Sequence, residues 1–115
     1  MARQLTPLEP EKFEAICARL DDGSADRADL KAATKHLLAL LQQRAPGHSV
    51  EVRIPPFAAI QCIAGASHTR GTPPAVVETD PETWIALGRG KVAWAQASVR
   101  ASGERSDLSA LLPLV

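Results

Sequence analysis

The sequence predicts an α+β fold in which helices cover one face of a mainly antiparallel sheet. Two stretches with the apolar period of a helix come first, and near residue 49 the period changes to strand-like alternation. The remaining chain switches between short helices and strands and contains no repeat. With 115 residues, 45% of them hydrophobic, the chain fits one domain, residues 1–115, around one core.

Two amphipathic helices open the chain. Thr6, Pro7 and Glu9 fit a capping box with proline at the first helical position, which predicts a first helix over roughly 7–20. The second helix is indicated by an apolar stripe from Leu30 to Ala45, which ends at a Pro-Gly pair.

Three strands follow these helices. Alternation in "SVEVRI" predicts a half-buried strand, and the two prolines after it predict a chain reversal. "FAAIQCIAGA" is apolar on both faces, which predicts a strand covered on both sides and central in its sheet. "AVVET" supplies the third strand.

The last third of the chain predicts short elements. Asp80 is expected to cap a helix that has Pro81 at its first position and ends at Gly88. "GRGKVAWAQA" indicates a glycine break and a short helix, and "SVRASGER" indicates a fourth strand with a bulge at Gly103. "DLSALLPLV" predicts a terminal helix that Pro113 interrupts.

Composition argues against several classes of function. Thirteen Lys plus Arg balance thirteen Asp plus Glu, and only four aromatic residues are present, so we expect no nucleic-acid partner. We find no signal peptide and no apolar run long enough to span a membrane, and therefore expect a cytoplasmic protein without stable membrane insertion.

Cysteine and histidine spacing gives no metal-site pattern. Cys17 and Cys62 lie far apart, and His36, His48 and His68 are scattered. We therefore expect reduced thiols, no metal and no cofactor.

The stretch "SHTRGTPP", residues 67–74, holds the most reactive side chains. His68 could act as a general base, with Glu78 or Asp80 to orient it and Ser67 or Thr69 as the nucleophile. No nucleophile-elbow motif surrounds either hydroxyl, and turn chemistry already explains the glycine and prolines. We favour a rigid polar turn, then a ligand or partner contact, and assign no catalytic residue.

The motifs together resemble a known family. "TDPETWIALGRGKVAWAQASVRASGERSDLSALLPL" resembles the sterol carrier protein domain, and "SVEVRIPPFAAIQC" with "HTRGTPPAVVETDPETW" is similar to its short single-domain branch in actinobacteria. The resemblance implies a five-stranded sheet packed against helices. It also implies an apolar tunnel between sheet and helices, which in relatives accepts sterols, fatty acids or acyl-CoA, and it implies no reaction.

The first functional hypothesis is therefore a non-enzymatic lipid-binding and lipid-transport protein, with Arg70 or Arg53 holding a charged head group. One alternative is an interaction module with the same fold and a filled core, which would bind a protein partner or form a weak homodimer. The other is a small enzyme that uses His68. Each apolar candidate also fits ordinary core packing. The candidate ligand-binding residues are Leu38, Leu41, Phe57, Ile60, Ile63, Arg70, Trp84, Leu87, Trp94, Leu108, Leu111 and Leu112.

Overall fold

The computed structural model describes residues 4–65 and 75–115. Within these ranges three α-helices and a four-stranded sheet form an α+β structure. The helices are α1 (Pro10–Asp22), α2 (Arg27–Arg44) and α3 (Pro81–Gly88). The strands are β1 (Val50–Ile54), β2 (Ala58–Cys62), β3 (Ala75–Glu78) and β4 (Arg100–Ser102), and 3-10 turns span Trp94–Gln96 and Ser109–Leu111.

The sheet has the strand order β2-β1-β3-β4 and mixed direction. β1 is antiparallel to β2 and parallel to β3, and β3 is antiparallel to β4. The expectation of five mainly antiparallel strands was thus wrong in detail, because the described residues form four strands with one parallel pair at the centre.

The position of β2 also differs from the prediction. In the described part of the sheet β2 is an edge strand, since β3 pairs with β1. Ile60 and Cys62 are buried, whereas Ala59 is exposed and Gln61 is half-buried. Only one face of β2 is covered. The apolar residue on the uncovered face of β2 is Ala59, whose small side chain exposes little apolar surface to water.

The core lies between this sheet and the helices. Val50, Val52 and Ile54 of β1 are fully buried and face the same side as the buried residues of β2 and β3. From α2, Leu37 is fully buried, and a Cβ at Gly88 would lie 2.8 Å from Leu37 Cδ1. Gly88 therefore allows α3 to approach α2 closely.

Capping side chains define two helix starts. Asp80 is confirmed as the N-cap of α3, where its carboxylate accepts a hydrogen bond from the Thr83 amide at 2.8 Å. In α2, Asp26 and Asp29 form a reciprocal capping box.

The predicted start of α1 was wrong. The helix begins at Pro10 and its N-cap, Glu9, makes no side-chain hydrogen bond. Residues 4–9, here called the N-terminal strap, contain no helix or strand. The Leu5 amide donates to Gln42 Oε1 and the Leu8 amide to His36 Nδ1, each at 2.9 Å. These bonds to α2 replace the first helical turn expected at Pro7.

The C-terminal helix is shorter than predicted and consists of a single 3-10 turn. The Arg44 guanidinium donates to the carbonyl oxygens of Leu111 at 2.9 Å and Pro113 at 2.8 Å. The Leu114 amide donates to the Gly88 carbonyl at 2.8 Å. The end of the chain is thus fixed to α2 and α3 by these bonds. The short helix predicted near Trp94 is also a 3-10 turn.

Candidate functional site

Three of the predicted ligand residues meet at one open pocket. Leu87, Trp94 and Leu112 line a cavity of about 560 Å³ at the end of α3, here called the C-terminal pocket. Trp94 and Leu112 are half-buried, whereas Leu87 is 1% exposed and forms a buried wall. The other lining residues are Gly90, Val92, Ala93, Ala95, Asp107, Ser109 and Pro113.

The walls of the C-terminal pocket come from segments without α-helix or strand, apart from Leu87 on α3. Gly90 has φ +71°, which turns the chain after α3 toward Trp94, and the Lys91 amide donates to the Ala86 carbonyl at 2.8 Å. On the opposite wall, Leu112 follows the last 3-10 turn. The walls of the pocket are thus held by turn hydrogen bonds and belong neither to the sheet nor, apart from Leu87, to an α-helix.

Most other predicted residues lie in the core between sheet and helices. Their side chains are 0–1% exposed and fill the space in which the resemblance implied a tunnel. These core residues are Leu38, Leu41, Ile60, Trp84 and Leu108.

The remaining predicted residues lie around the ends of β2 and near the C-terminus. Phe57 is half-buried in the turn before β2, with the Arg27 guanidinium 5.0 Å from its ring centroid. Ile63 follows β2 with φ +65°, and Leu111 is half-buried beside Leu112. Arg70 lies outside the described residues.

The loop prediction for residues 67–74 lies entirely outside the described ranges. The roles suggested for Ser67, His68 and Thr69 therefore stay predictions. Within the ranges that the structure describes, no group of three His, Cys, Asp or Glu side chains could hold a metal ion.

The outer face of the sheet carries charged side chains in register. Arg53 on β1 pairs across the ladder with Glu78 on β3, which pairs with Arg100 on β4. Glu51 forms an ion pair with Arg53. Such cross-strand charges stabilise a solvated sheet face. Arg53 points away from the face that the helices cover, so it does not lie with the apolar candidates.

A second and larger apolar cavity lies between α1 and α2. This N-terminal groove has a volume of about 760 Å³. The strap, α1, α2 and Val115 supply its walls. Its apolar lining residues are Pro7, Leu8, Pro10, Phe13, Cys17, Ala18, Leu40 and Val115, and its polar ones are Glu14, Asp21 and His36.

His36 is the most buried polar residue in the lining of this groove. Its ring stacks on Phe13 with centroids 4.1 Å apart and an interplanar angle of 28°. The side chain is 7% exposed, and this burial lowers the pKa of the imidazole. The sequence argument treated His36 only as a scattered histidine, because its partner Leu8 lies 28 positions away.

Both described cysteines are free thiols. Cys17 is half-buried at the groove, and Cys62 is fully buried in β2, where burial raises its pKa to about 11. Neither environment favours the thiolate, because burial also raises the pKa of Cys17.

The structure is a small α+β domain with helices on one face of a mixed sheet and open cavities beside α1 and beside the end of α3. The family model described as "bacterial SCP ortholog" matches residues 26–114. The chain therefore belongs to this bacterial sterol carrier protein family. A search of curated proteins found no match. No helix within the described ranges has the length and apolar character needed to cross a membrane.

Proposed function

We propose that the protein is a non-enzymatic intracellular lipid-binding protein that acts as a single domain, residues 1–115. Its ligand would be a fatty acid, an acyl-CoA or a sterol-like molecule, held in the C-terminal pocket. The observation that carries this proposal is the convergence of Leu87, Trp94 and Leu112 on one open pocket within the family-matched region.

The size and chemistry of the pocket support this class of ligand. Sites for small molecules commonly enclose about 300–1,000 Å³, and about 560 Å³ falls within that range. Burial of apolar ligand surface would contribute roughly 25 cal/mol per Å². The Ser109 hydroxyl can bond the head of a ligand, and the Asp107 carboxylate can accept the hydroxyl of a sterol-like ligand. Arg70 remains the proposed partner of a carboxylate.

We expect the C-terminal segment to move when a long ligand binds. That segment is held by hydrogen bonds from Arg44 and to Gly88 and by the buried side chains of Leu108 and Leu114. Release of the bonds from Arg44 would let residues 109–113 move while Leu108 and Leu114 stay in the core.

Native mass spectrometry tests the proposal with two matched variants. Ala95 and Gln96 are adjacent and exposed, but only Ala95 lines the pocket. We expect a stoichiometric adduct when the protein is incubated with a panel of fatty acids, acyl-CoAs and sterols. Ala95→Trp should remove this adduct by filling the pocket, whereas Gln96→Trp should keep it. An equal effect of both substitutions would contradict the assigned site.

An interaction module is the second candidate, and one observation favours it. The side chains of Leu38, Leu41, Ile60, Trp84 and Leu108 are 0–1% exposed, so the core between sheet and helices is filled. Such a module would remain free of ligand across the whole panel and would bind a protein partner or form a weak homodimer. Analytical ultracentrifugation of the ligand-free protein would detect the homodimer.

A further inference from the structure

The N-terminal groove is separate from the C-terminal pocket. The two cavities share no lining residue. Most of the groove comes from the strap and α1, which precede the family-matched region at residues 26–114. A function of this groove would therefore go beyond lipid binding at the C-terminal pocket.

The groove has the size and lining of a small-molecule site. Its volume is about 760 Å³, within the range of about 300–1,000 Å³ typical of ligand pockets. Phe13 and Leu40 form apolar walls from α1 and α2, and Leu8 of the strap forms a third. Ala18 is exposed on α1 at the groove.

His36 offers one directed hydrogen-bond donor in this lining. Its Nδ1 accepts the Leu8 amide at 2.9 Å, which requires the neutral ring to carry its proton on Nε2. The Nε2–H group has no hydrogen-bond partner among the residues that the structure describes. A ligand with an acceptor oxygen would satisfy this donor.

The charges at the groove select against an anionic ligand. The carboxylates of Glu14 and Asp21 line it, and its lining residues include no Lys or Arg. Arg89 binds both oxygens of Asp21 at 3.0 Å and, together with Lys91, lowers the pKa of Asp21, whereas Glu14 makes no ion pair within the ranges that the structure describes. Lys31 and Lys35 line a smaller pocket of about 320 Å³, which shares Leu8 and His36 with the groove.

We propose that the N-terminal groove is a second ligand site, which takes an uncharged apolar molecule carrying a carbonyl oxygen, such as a long-chain ester or ketone. The chain would pack against Phe13 and Leu40, and the carbonyl oxygen would accept the Nε2–H of His36. The strap holds the ring in the required tautomer through the Leu8 amide.

Cys17 provides the readout for a test on the whole protein. It lines the groove, whereas Cys62 is fully buried and serves as an internal reference. The rate of N-ethylmaleimide labelling at each thiol, followed by peptide mass mapping, would report occupancy during titration with methyl laurate, laurate or dodecane. We expect methyl laurate to protect Cys17 at concentrations about five- to tenfold below those of dodecane, the factor for one net hydrogen bond. Laurate should protect it least.

Matched variants locate the effect. Ala18→Trp should abolish protection by filling the groove, and Ala15→Trp, at an exposed position of α1 outside the lining, should not. His36→Phe should remove the preference for the ester over dodecane. Gln42→Ala, which breaks the other strap hydrogen bond, should preserve it.

The proposal would be overturned if laurate protected Cys17 as well as methyl laurate does, or if no probe protected it. Equal loss of protection in both tryptophan variants would also overturn it. The labelling test reports only on Cys17 in the N-terminal groove. Failure of this proposal would therefore leave the adduct test with Ala95→Trp unaffected, so failure of the second site can be distinguished from failure of the C-terminal pocket.

Discussion

At the scale of single residues, Asp80 shows how one side chain fixes the start of an element. Its carboxylate accepts hydrogen bonds from the Thr83 amide at 2.8 Å and from the Thr83 hydroxyl at 2.9 Å. The hydrogen bond from the Thr83 amide is the main reason that the pKa of Asp80 is lowered. The residue was predicted as a cap because Asp-Pro before an apolar run is a helix-start signal in the sequence itself.

We expect Asp80→Ala to lower the free energy of unfolding by about 0.5–2 kcal/mol, because a helix cap is lost. Urea unfolding at neutral pH measures this change. Asp80→Asn, which keeps an acceptor at the cap, should cost less. Since the folded-state pKa is depressed, the cap contributes above the unfolded pKa and is lost as pH falls through the folded one. Equal stability of Asp80→Ala and the unsubstituted protein would contradict the cap.

His36 should also make the free energy of unfolding depend on pH, but at higher pH than Asp80 does. Burial lowers its pKa, so the folded protein favours the neutral ring and the unfolded chain binds more protons. Stability from this group is therefore complete above its unfolded pKa of about 6.5 and is lost as pH falls through the lower folded value. Protonation would also remove the acceptor of the Leu8 amide.

The measurement is urea unfolding between pH 8 and pH 5. The unsubstituted protein should lose stability toward pH 5, and His36→Phe should lose less over the same interval. The charged groups that line the pockets adjoining the ring are Glu14, Asp21, Lys31 and Lys35. Parallel pH profiles for the two proteins would show that His36 does not titrate in this way.

At the scale of elements, the C-terminal segment is held by a distant side chain. Arg44 on α2 donates to the carbonyl oxygens of Leu111, Pro113 and Leu114. The Leu114 and Val115 amides in turn donate to the Gly88 carbonyl. This arrangement closes the C-terminal pocket on one side.

We expect Arg44→Met to loosen the segment while α2 stays folded. Hydrogen exchange at the Leu114 and Val115 amides should quicken at least about fivefold, because one net hydrogen bond contributes about 1 kcal/mol and Arg44 makes three bonds to the segment. Gln43→Met, at the exposed neighbouring position, is the control. Unchanged exchange at both amides in Arg44→Met would mean that the guanidinium does not hold the segment.

The elements also show which parts of the fold a sequence can predict. The starts of β1 and α3 followed from local patterns, because alternation and capping depend on residues close together in the chain. The true start of α1 depends on bonds from Leu5 to Gln42 and from Leu8 to His36, across 37 and 28 positions. No local pattern carries such long-range bonds, so the helix was predicted to begin too early.

The place of β2 could not be predicted for a similar reason. An apolar stretch fits a central strand and an edge strand alike when its outer residues are small, as Ala59 is. Only the parallel pairing of β1 with β3 decides which strand is outermost. The short terminal helix could not be predicted for the same reason. Carbonyl oxygens at the end of the chain accept hydrogen bonds from Arg44, which lies 67 positions before Leu111.

At the scale of the whole molecule, the candidate site was predicted in part. Leu87, Trp94 and Leu112 do lie together at a pocket, whereas most other apolar candidates fill the core. Hydrophobic residues at helical spacing look the same in both roles, because packing distance rather than residue type separates a lining from a core. The N-terminal groove was not predicted, since it needs the strap to cross α2.

The central claim is that the C-terminal pocket holds the apolar chain of a lipid. The most direct measurement is a crystal structure of the protein with a fatty acid that carries bromine on its chain, with the bromine located by anomalous scattering. We predict a bromine peak beside Trp94 and Leu112, with the C-terminal segment displaced. A peak only at the surface or only in the N-terminal groove, or a protein that crystallises without the fatty acid at saturating concentration, would contradict the claim.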